Sequence, residues 1–357
     1  MARKNEVKAA VPRRRCLMLE EIHEQPEVLE RLLSGREHVS TLDTLRRLKP
    51  PMVLFAARGT SAHAAFYGRY LLERYVGTPA TVAALSLFTQ YRVHPHLMGA
   101  LVIGISQSGE APDAVEVLET ARERGAFTLA ITNTPESPIT KVANEVMLLN
   151  AGPERAVAAT KTYTGSLACL LLIARALGGR LPAGMARIPE FMAQALEQDP
   201  LIGSLAPRLR FATRMVILGR AFDYCTVHEA ALKLQETCYL AAIGHSAADF
   251  LHGPIAMMEE EVPVLLYAPR GKTLPFMTRV MKRLQGIGSE TCVVTNHAPL
   301  AQAGMARLNV RLASGLDEVY MPFPHIGLAQ MLAAHLALEK GINPDEPREL
   351  TKVTRTL

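Results

Sequence analysis

The sequence contains no tryptophan, and aromatic residues make up only 5% of it. Proteins that bind single-stranded nucleic acid stack the bases on aromatic side chains, so the composition argues against that kind of partner. The chain also lacks a long apolar run. Its most apolar stretch, residues 167–176, is interrupted by Arg175 and is too short to cross a bilayer. We therefore predict a protein that has no nucleic-acid partner and no membrane partner.

Cysteine is scarce, and its spacing does not match the common metal and redox motifs. The five cysteines are an odd number without any CxxC pair: Cys16, Cys169, Cys225, Cys238 and Cys292. No apolar signal core follows the basic N-terminus, so we expect reduced thiols in a cytoplasmic protein. Because the sequence shows no metal-ligand cluster and no dinucleotide fingerprint, we predict no metal and no cofactor.

Positive charge is concentrated at the start of the chain. The formal net charge is +5, and the first fifteen residues contain Lys4, Lys8, Arg13, Arg14 and Arg15. Chain termini of this kind are often unordered, and we predict a disordered basic segment over residues 1–15. A nucleic-acid-binding arm is the alternative, but no recognition motif accompanies the charge.

Short apolar runs alternate with helical patterns. After a helical pattern at residues 18–33, apolar runs at 52–57, 100–105 and 127–131 each end in small polar residues. The first two of these runs are followed by a helix-period pattern. Strands that alternate with helices in this way predict a parallel sheet that is covered on both faces.

The alternation occurs twice along the chain. Three segments recur at an offset of 162 or 163 residues: 52–55 with 215–218, 102–105 with 264–267, and 128–133 with 291–296. Three matches in register indicate a tandem duplication. The predicted fold is α/β, with two doubly wound domains over residues 16–190 and 200–340 and a C-terminal tail over 341–357.

The strongest local signal for function is the sequence SQSGE at residues 106–110. It stands where a predicted strand ends and a helix begins, so its main-chain N–H groups and the positive end of the helix dipole favour an anion. Ser106, Gln107 and Ser108 can donate hydrogen bonds to phosphate oxygens. An ordinary serine-capped turn is the alternative. Arg58, Gly59, Thr60 and Ser61 occupy the equivalent position after the first strand, where Thr60 or Ser61 could equally be a helix cap.

Acid–base side chains cluster in the second half. Glu229, Lys233 and Glu236 are spaced to share one face of a helix, although a solvated salt-bridge stripe would have the same spacing. His252 precedes Gly-Pro in a turn, where it could titrate near neutral pH or simply lie on the surface. Lys352 in the tail would be reactive only if the tail folded over a pocket.

Six motifs together resemble the sugar isomerase (SIS) domain family, and in particular the isomerase half of glucosamine-6-phosphate synthase and its stand-alone relatives. They are RGTS at 58–61, SQSGE at 106–110, AGPERAVAATKTYT at 151–164, EAALKLQE at 229–236, LHGP at 251–254 and PRELTK at 347–352. The resemblance covers nearly the whole chain, and it implies a phosphorylated sugar as the ligand and a homodimer as the assembly.

The resemblance also implies roles for individual residues. Thr60, Ser61, Ser106, Gln107 and Ser108 match residues that bind the sugar phosphate, while Val157 and Ala158 match main-chain contacts to the sugar. Glu236 matches the carboxylate that moves a proton between the first two sugar carbons, with Lys233 and Glu229 beside it. His252 matches a ring-opening histidine that comes from the partner subunit. Lys352 matches a lysine that forms an imine with the open sugar.

Some positions depart from the synthase pattern. Arg58 replaces a cysteine, as in stand-alone deaminase-type members, and Ala111 and Ala159 replace hydroxyl residues. The start of the chain does not carry the N-terminal cysteine of a glutaminase domain, so we expect no glutamine hydrolysis. We predict an amino-sugar phosphate deaminase/isomerase that converts glucosamine 6-phosphate to fructose 6-phosphate and ammonia. The alternatives are a fructosamine-phosphate deglycase, a ketose/aldose phosphate isomerase and a sugar-phosphate-binding regulator without turnover.

Overall fold

A computed structural model describes residues 15–302 and 308–352. Most of the predicted disordered segment, residues 1–14, lies outside the described residues, as do residues 353–357 of the tail. Arg15 is described and pairs with Glu20.

Ten strands in the described part of the chain form two five-stranded sheets, and every strand pair is parallel. The strands are β1 (Val53–Ala56), β2 (Ala80–Val82), β3 (Leu101–Ile105), β4 (Phe127–Thr132), β5 (Glu145–Leu148), β6 (Arg214–Gly219), β7 (Ala241–Ser246), β8 (Val264–Tyr267), β9 (Thr291–Thr295) and β10 (Leu308–Arg311).

Helices cover both faces of each sheet. Those in the described residues are α1 (Leu17–His23), α2 (Gln25–Ser34), α3 (Val39–Arg46), α4 (Gly59–Leu71), α5 (Leu85–Thr89), α6 (Pro112–Glu123), α7 (Pro138–Val142), α8 (Lys161–Ala176), α9 (Ile188–Leu196), α10 (Asp199–Leu209), α11 (Tyr224–Cys238), α12 (Ala247–Leu251), α13 (Leu274–Ile287), α14 (Ala298–Gln302) and α15 (Pro322–Glu339). None of these helices has both the length and the apolar character needed to cross a bilayer.

The two sheets have the same strand order. The first runs β2-β1-β3-β4-β5, and the second runs β7-β6-β8-β9-β10. The three segments that recur in the sequence are β1 with β6, β3 with β8 and β4 with β9. The predicted fold class, α/β with two tandem doubly wound domains, is therefore confirmed.

Alternate residues of the central strands belong to different cores. Val53 and Phe55 of β1 point into a core that both halves share, and Leu54 and Ala56 point into a second core on the outer face of the first sheet. The same alternation occurs in β6, where Met215 and Ile217 face the shared core. The two halves are thus packed against each other through one continuous apolar interior.

Strand order fixes where a ligand can bind. β1 lies between β2 and β3, so the connections leaving β1 and β3 run to opposite sides and open a crevice at the carboxyl ends of these strands. The segments after β1 and β3 are the RGTS and SQSGE motifs. Because α4, which follows β1, packs on α11 of the second half, this crevice also borders the second half.

Candidate active site

A cavity of about 330 Å³ lies at the carboxyl ends of β1 and β3. Its wall combines both halves of the chain with the C-terminal tail. The lining residues are Arg58, Gly59, Thr60, Ser61, Ile105, Ser106, Gln107, Ser108, Ala111, Asp113, Val157, Ala159, Glu236, Leu350, Thr351 and Lys352. The volume is within the usual range for small-molecule sites.

The SQSGE turn between β3 and α6 forms one side of the cavity. The Ser106 hydroxyl accepts a hydrogen bond from the Gly109 N–H at 3.1 Å, and the Ser108 hydroxyl accepts one from the Glu110 N–H at 3.2 Å. A hydroxyl that accepts a hydrogen bond from a main-chain N–H can still donate its own proton to another acceptor. The turn therefore presents two hydroxyl donors beside the N-terminal end of α6.

Glycine is required at the centre of this turn. Gly109 has a φ of +69°, a conformation that costs little only for glycine. A Cβ atom at this position would lie 2.0 Å from Oγ of Ser137. The close approach of Ser137 thus sets the shape of the turn, and any larger residue must displace it.

Arg58 reaches the same end of the cavity. Its Nε atom donates to Oδ2 of Asp113, a fully buried carboxylate in the first turn of α6, while about half of the Arg58 side chain stays exposed. Asp113 is anchored in turn by the N–H of Ala114 at 2.8 Å. The pair holds a guanidinium at the mouth of the cavity beside the SQSGE turn.

The opposite side of the cavity is an ion cluster on α11. Nζ of Lys233 lies 2.6 Å from Oε2 of Glu236 and 3.3 Å from Oε1 of Glu229. Glu229 also accepts hydrogen bonds from the Thr60 hydroxyl at 2.9 Å and, across 2.7 Å, from Nδ1 of His63. Of the three predicted α11 residues, Glu236 alone lines the cavity; Glu229 and Lys233 are completely buried behind it.

The surroundings keep Glu229 and Lys233 ionised. Burial opposes the charge of Glu229, but Lys233, His63 and Thr60 outweigh burial and lower the pKa of Glu229. Burial likewise disfavours the Lys233 ammonium, yet Glu236 and Glu229 raise its pKa above the ordinary value. A permanently charged Lys233 can therefore orient the Glu236 carboxylate toward the cavity.

The tail closes the cavity with Lys352. Its Nζ atom donates to Oε2 of Glu154 at 2.8 Å and to the carbonyl of Ala156 at 2.7 Å. Glu154 is fully buried and also accepts the N–H groups of Thr160 and Thr162. Burial opposes its charge, but Lys352 and these N–H donors lower the pKa of Glu154 below the usual value.

The two residues expected to contact the sugar through the main chain differ in position. Val157 lines the cavity, but its N–H donates to the carbonyl of Asp345 at 3.0 Å. Ala158 is buried and is not part of the cavity wall, whereas Ala159 is.

His252 lies apart from the other predicted site residues. It follows the last residue of α12, its side chain is exposed, and it does not line the cavity. Within one chain, the structure therefore does not bring His252 to the residues of the first half.

Three further residues were not singled out from the sequence. Asp113 orients Arg58, His63 contacts Glu229, and Glu154 holds Lys352. Glu154 lies within the AGPERAVAATKTYT motif, which could have drawn attention to it. Asp113 and His63 carry no local signal, because each is recognisable only from a partner that is distant in the sequence. In the described part of the chain, no group of three metal-binding side chains is arranged around a common point.

Comparison with solved structures shows the same fold. The C-terminal domain of glucosamine-fructose-6-phosphate aminotransferase from Francisella tularensis superposes with a TM-score of 0.83 at 24% identity, over 95% of this chain and 100% of that one. A glucosamine-6-phosphate deaminase from Thermotoga maritima gives a TM-score of 0.78 at 21% identity, over 95% of this chain and 100% of that one.

Comparison with curated sequences gives matches of higher sequence identity than these two structures. The glutamine–fructose-6-phosphate aminotransferase (isomerizing) of Pyrococcus horikoshii is 34% identical over 94% of this chain, and that of Methanothermobacter thermautotrophicus is 36% identical over 94%. The alignments cover 57% and 56% of those proteins, so the chain spans little more than half of their length. The SIS domain model matches residues 49–176 and again residues 208–340. With one match on each sheet, the chain belongs to the SIS domain family.

Proposed function

We propose that the chain is a phosphosugar isomerase of the deaminating type, which converts glucosamine 6-phosphate to fructose 6-phosphate and ammonia. One observation carries the proposal. A single cavity is lined by the SQSGE turn of the first half, the Glu236 carboxylate of the second half and the Lys352 amine of the tail.

The cavity suits a phosphorylated hexose in its open form. The phosphate would accept hydrogen bonds from Ser106 and Ser108 and face the positive end of the α6 dipole. Arg58 adds a cation at the same end. Fixing the phosphate there places the carbonyl end of the sugar toward Glu236 and Lys352, so that binding energy from the remote group orients the reacting carbons.

Proton transfer between the first two carbons is the central step. In the open sugar, Glu236 removes the proton from C2 and returns it to C1, while one proton passes from the amino nitrogen to the C1 oxygen. C1 then carries a hydroxyl and C2 is an imine. Lys352 then passes a proton to the imine nitrogen, its neutral amine attacks C2, and the protonated nitrogen leaves as ammonia, which gives an imine between Lys352 and C2. Water hydrolyses this imine to the ketone of fructose 6-phosphate and restores the amine.

Ring opening must precede these steps and needs a separate acid–base group. His252 is exposed on its own chain and does not line the cavity, so we propose that it acts in the cavity of a second copy within a homodimer. An imidazole is suited to the task because it exchanges protons near neutral pH.

The five cysteines of this sequence are unsuited to glutamine hydrolysis. All five thiols of this sequence are buried. Burial raises the pKa of Cys16 and Cys238 to about 11 and the pKa of Cys169, Cys225 and Cys292 to about 12. Glutamine hydrolysis by a cysteine needs an accessible thiolate, so none of these five thiols is placed to perform it.

Ammonia release from glucosamine 6-phosphate tests the proposal. We expect turnover by the wild type, and for Glu236→Gln a fall in kcat of about 100-fold or more, as for loss of a general base. KM should stay nearly constant because the phosphate site is unchanged. Glu190→Gln, an exposed change on α9, is the matched control.

Two results would contradict the proposal. One is full activity of Glu236→Gln. The other is a wild type that releases no ammonia from glucosamine 6-phosphate or from its galactosamine analogue. If the wild type interconverted aldose and ketose phosphates without releasing ammonia, the chain would be an isomerase of unaminated sugars.

A further inference from the structure

Helix α1 supports the site from outside the cavity. Its residue Glu21 is 4% exposed, and the two carboxylate oxygens accept hydrogen bonds from the N–H groups of Arg155 and Ala156, the second at 3.3 Å. These two amides belong to the loop 154–157, which also supplies both partners of Lys352, Glu154 and the carbonyl of Ala156. Glu21 therefore fixes the loop from behind.

The tail is tied to the same helix by Asp345. Asp345 is 8% exposed, and its carboxylate accepts the N–H of Leu17 at 3.0 Å and the N–H of Met18 at 2.8 Å, at the start of α1. Its carbonyl accepts the N–H of Val157 at 3.0 Å. One residue thus connects the tail to α1 and to the loop, seven positions before Lys352.

These contacts form a closed ring. Helix α1 holds the loop through Glu21, the loop holds the tail through Val157 and Lys352, and the tail holds α1 through Asp345. A side chain placed by two anchored segments has less freedom than one on a free tail, and pre-positioning of a reactive group has a large effect on rate.

We propose that Glu21 and Asp345 are positioning residues that hold the Lys352 amine at the carbonyl end of the bound sugar. Neither residue lines the cavity, so neither touches substrate. The inference rests on the proposed role of Lys352 in the reaction, but the placement of the amine by these two residues can be tested without substrate.

The first experiment measures how exposed the Lys352 amine is in the unliganded protein. An amide in Asp345→Asn can accept only one of the two α1 N–H groups, and its own NH₂ opposes the other. We expect reductive methylation with formaldehyde and a borohydride reductant to label Lys352 about tenfold faster than in the wild type, because the amine is released from its fixed partners. Mass spectrometry measures the labelling. Lys340, which donates to the carbonyl of Ala212, reports on general loosening in the same sample.

Asp317→Asn is the matched control. Asp317 also accepts a main-chain N–H, that of Val319 at 3.0 Å, and this hydrogen bond does not involve α1, the loop or the described part of the tail. Labelling of Lys352 should be unchanged in this variant. Equal Lys352 labelling rates in Asp345→Asn and the wild type would overturn the proposal, as would equal acceleration at Lys352 and Lys340.

The second experiment measures turnover and covalent capture. Borohydride traps an imine between Lys352 and the sugar, and we expect Asp345→Asn and Glu21→Gln each to trap about tenfold more slowly, since misplacement of the amine by about 1 Å is enough for such a loss. The dissociation constant of a hexitol 6-phosphate, which has no carbonyl, should stay within about threefold. The double variant should trap the imine no more slowly than the slower single variant, because both residues act through the same amine.

The two proposals fail in different ways. If the wild type traps no sugar but Asp345→Asn still exposes Lys352 to methylation, the proposed reaction is wrong and the placement of the amine stands. If the wild type traps sugar on Lys352 and both variants trap it at the same rate, the positioning role is wrong and the proposed reaction stands.

Discussion

At the scale of single residues, Lys233 is the side chain on which the site depends most. It is completely buried between two carboxylates, Glu229 and Glu236. A buried ammonium is costly unless it is paired, and removing one member of such a group leaves the other charges without compensation. Lys233 therefore both maintains the fold and orients Glu236.

We predict that Lys233→Met lowers the free energy of unfolding by about 3 kcal/mol or more, because the buried carboxylate of Glu229 then loses its lysine partner. The double variant Glu229→Gln with Lys233→Met should recover part of that loss, since no buried carboxylate is left unpaired at that position. Urea denaturation monitored by circular dichroism measures both. Equal stabilities of the single and double variants would show that Glu229 does not carry a charge that needs Lys233.

At the scale of elements, the turn between β3 and α6 sets the phosphate end of the cavity. Its shape depends on a left-handed residue at Gly109 and on the contact with Ser137 at the start of α7. The turn is therefore not a free loop, because Ser137, the residue before α7, packs against it.

We predict that Gly109→Ala lowers the free energy of unfolding by about 1–2 kcal/mol, because alanine is strained in the left-handed conformation. It should also weaken the binding of sugar phosphate at least tenfold, because the added Cβ displaces Ser137 and distorts the turn. Gly77→Ala is the control, because Gly77 has a similar φ of +78° but no atom within 4 Å of an added Cβ. Calorimetric titration with fructose 6-phosphate measures the affinity. Comparable loss of binding in both variants would indicate a general loss of folded protein instead.

At the scale of the whole molecule, the two halves meet through α4 and α11, and this contact carries several histidines. His228 on α11 lies against Tyr224, Phe66 and His63. Burial is the largest cause that lowers the pKa of His228 to about 4, and the nearby charges of His63 and His245 lower it further. Its Nε2 atom is buried without a hydrogen-bond partner among the described residues.

We predict that acid weakens the contact between the halves. Well above the ordinary pKa of 6.5, the imidazole of His228 is neutral in both states and contributes no pH dependence. As the pH falls from 6.5 toward 4, the unfolded chain binds a proton that the folded chain does not, so the free energy of unfolding decreases. In urea titrations across this interval, His228→Gln should show a smaller decrease than the wild type. An identical pH dependence would mean that His228 is protonated equally in both states.

Much of the fold could be predicted from local pattern. The apolar runs at 52–57, 100–105 and 127–131 are β1, β3 and β4, and each has its counterpart in the second sheet. The short strands β2 and β5 at the edges were not identified. Their residues are only partly buried, so they lack the continuous apolar character that marks a central strand.

The sequence alone determined the alternation of strands and helices, its duplication, and the position of the polar turns at strand ends, because these follow from the spacing of neighbouring residues. The tertiary structure decided which charged side chains meet. The partner of Lys352 is Glu154, 198 positions away, and the partner of Glu229 is Thr60, 169 positions away. Periodicity carries no information about such pairs. These pairs form only when the two sheets pack into one interior and Asp345 holds the tail across the crevice. Each charge is then buried, and a buried charge is stable only beside the partner that packing places next to it.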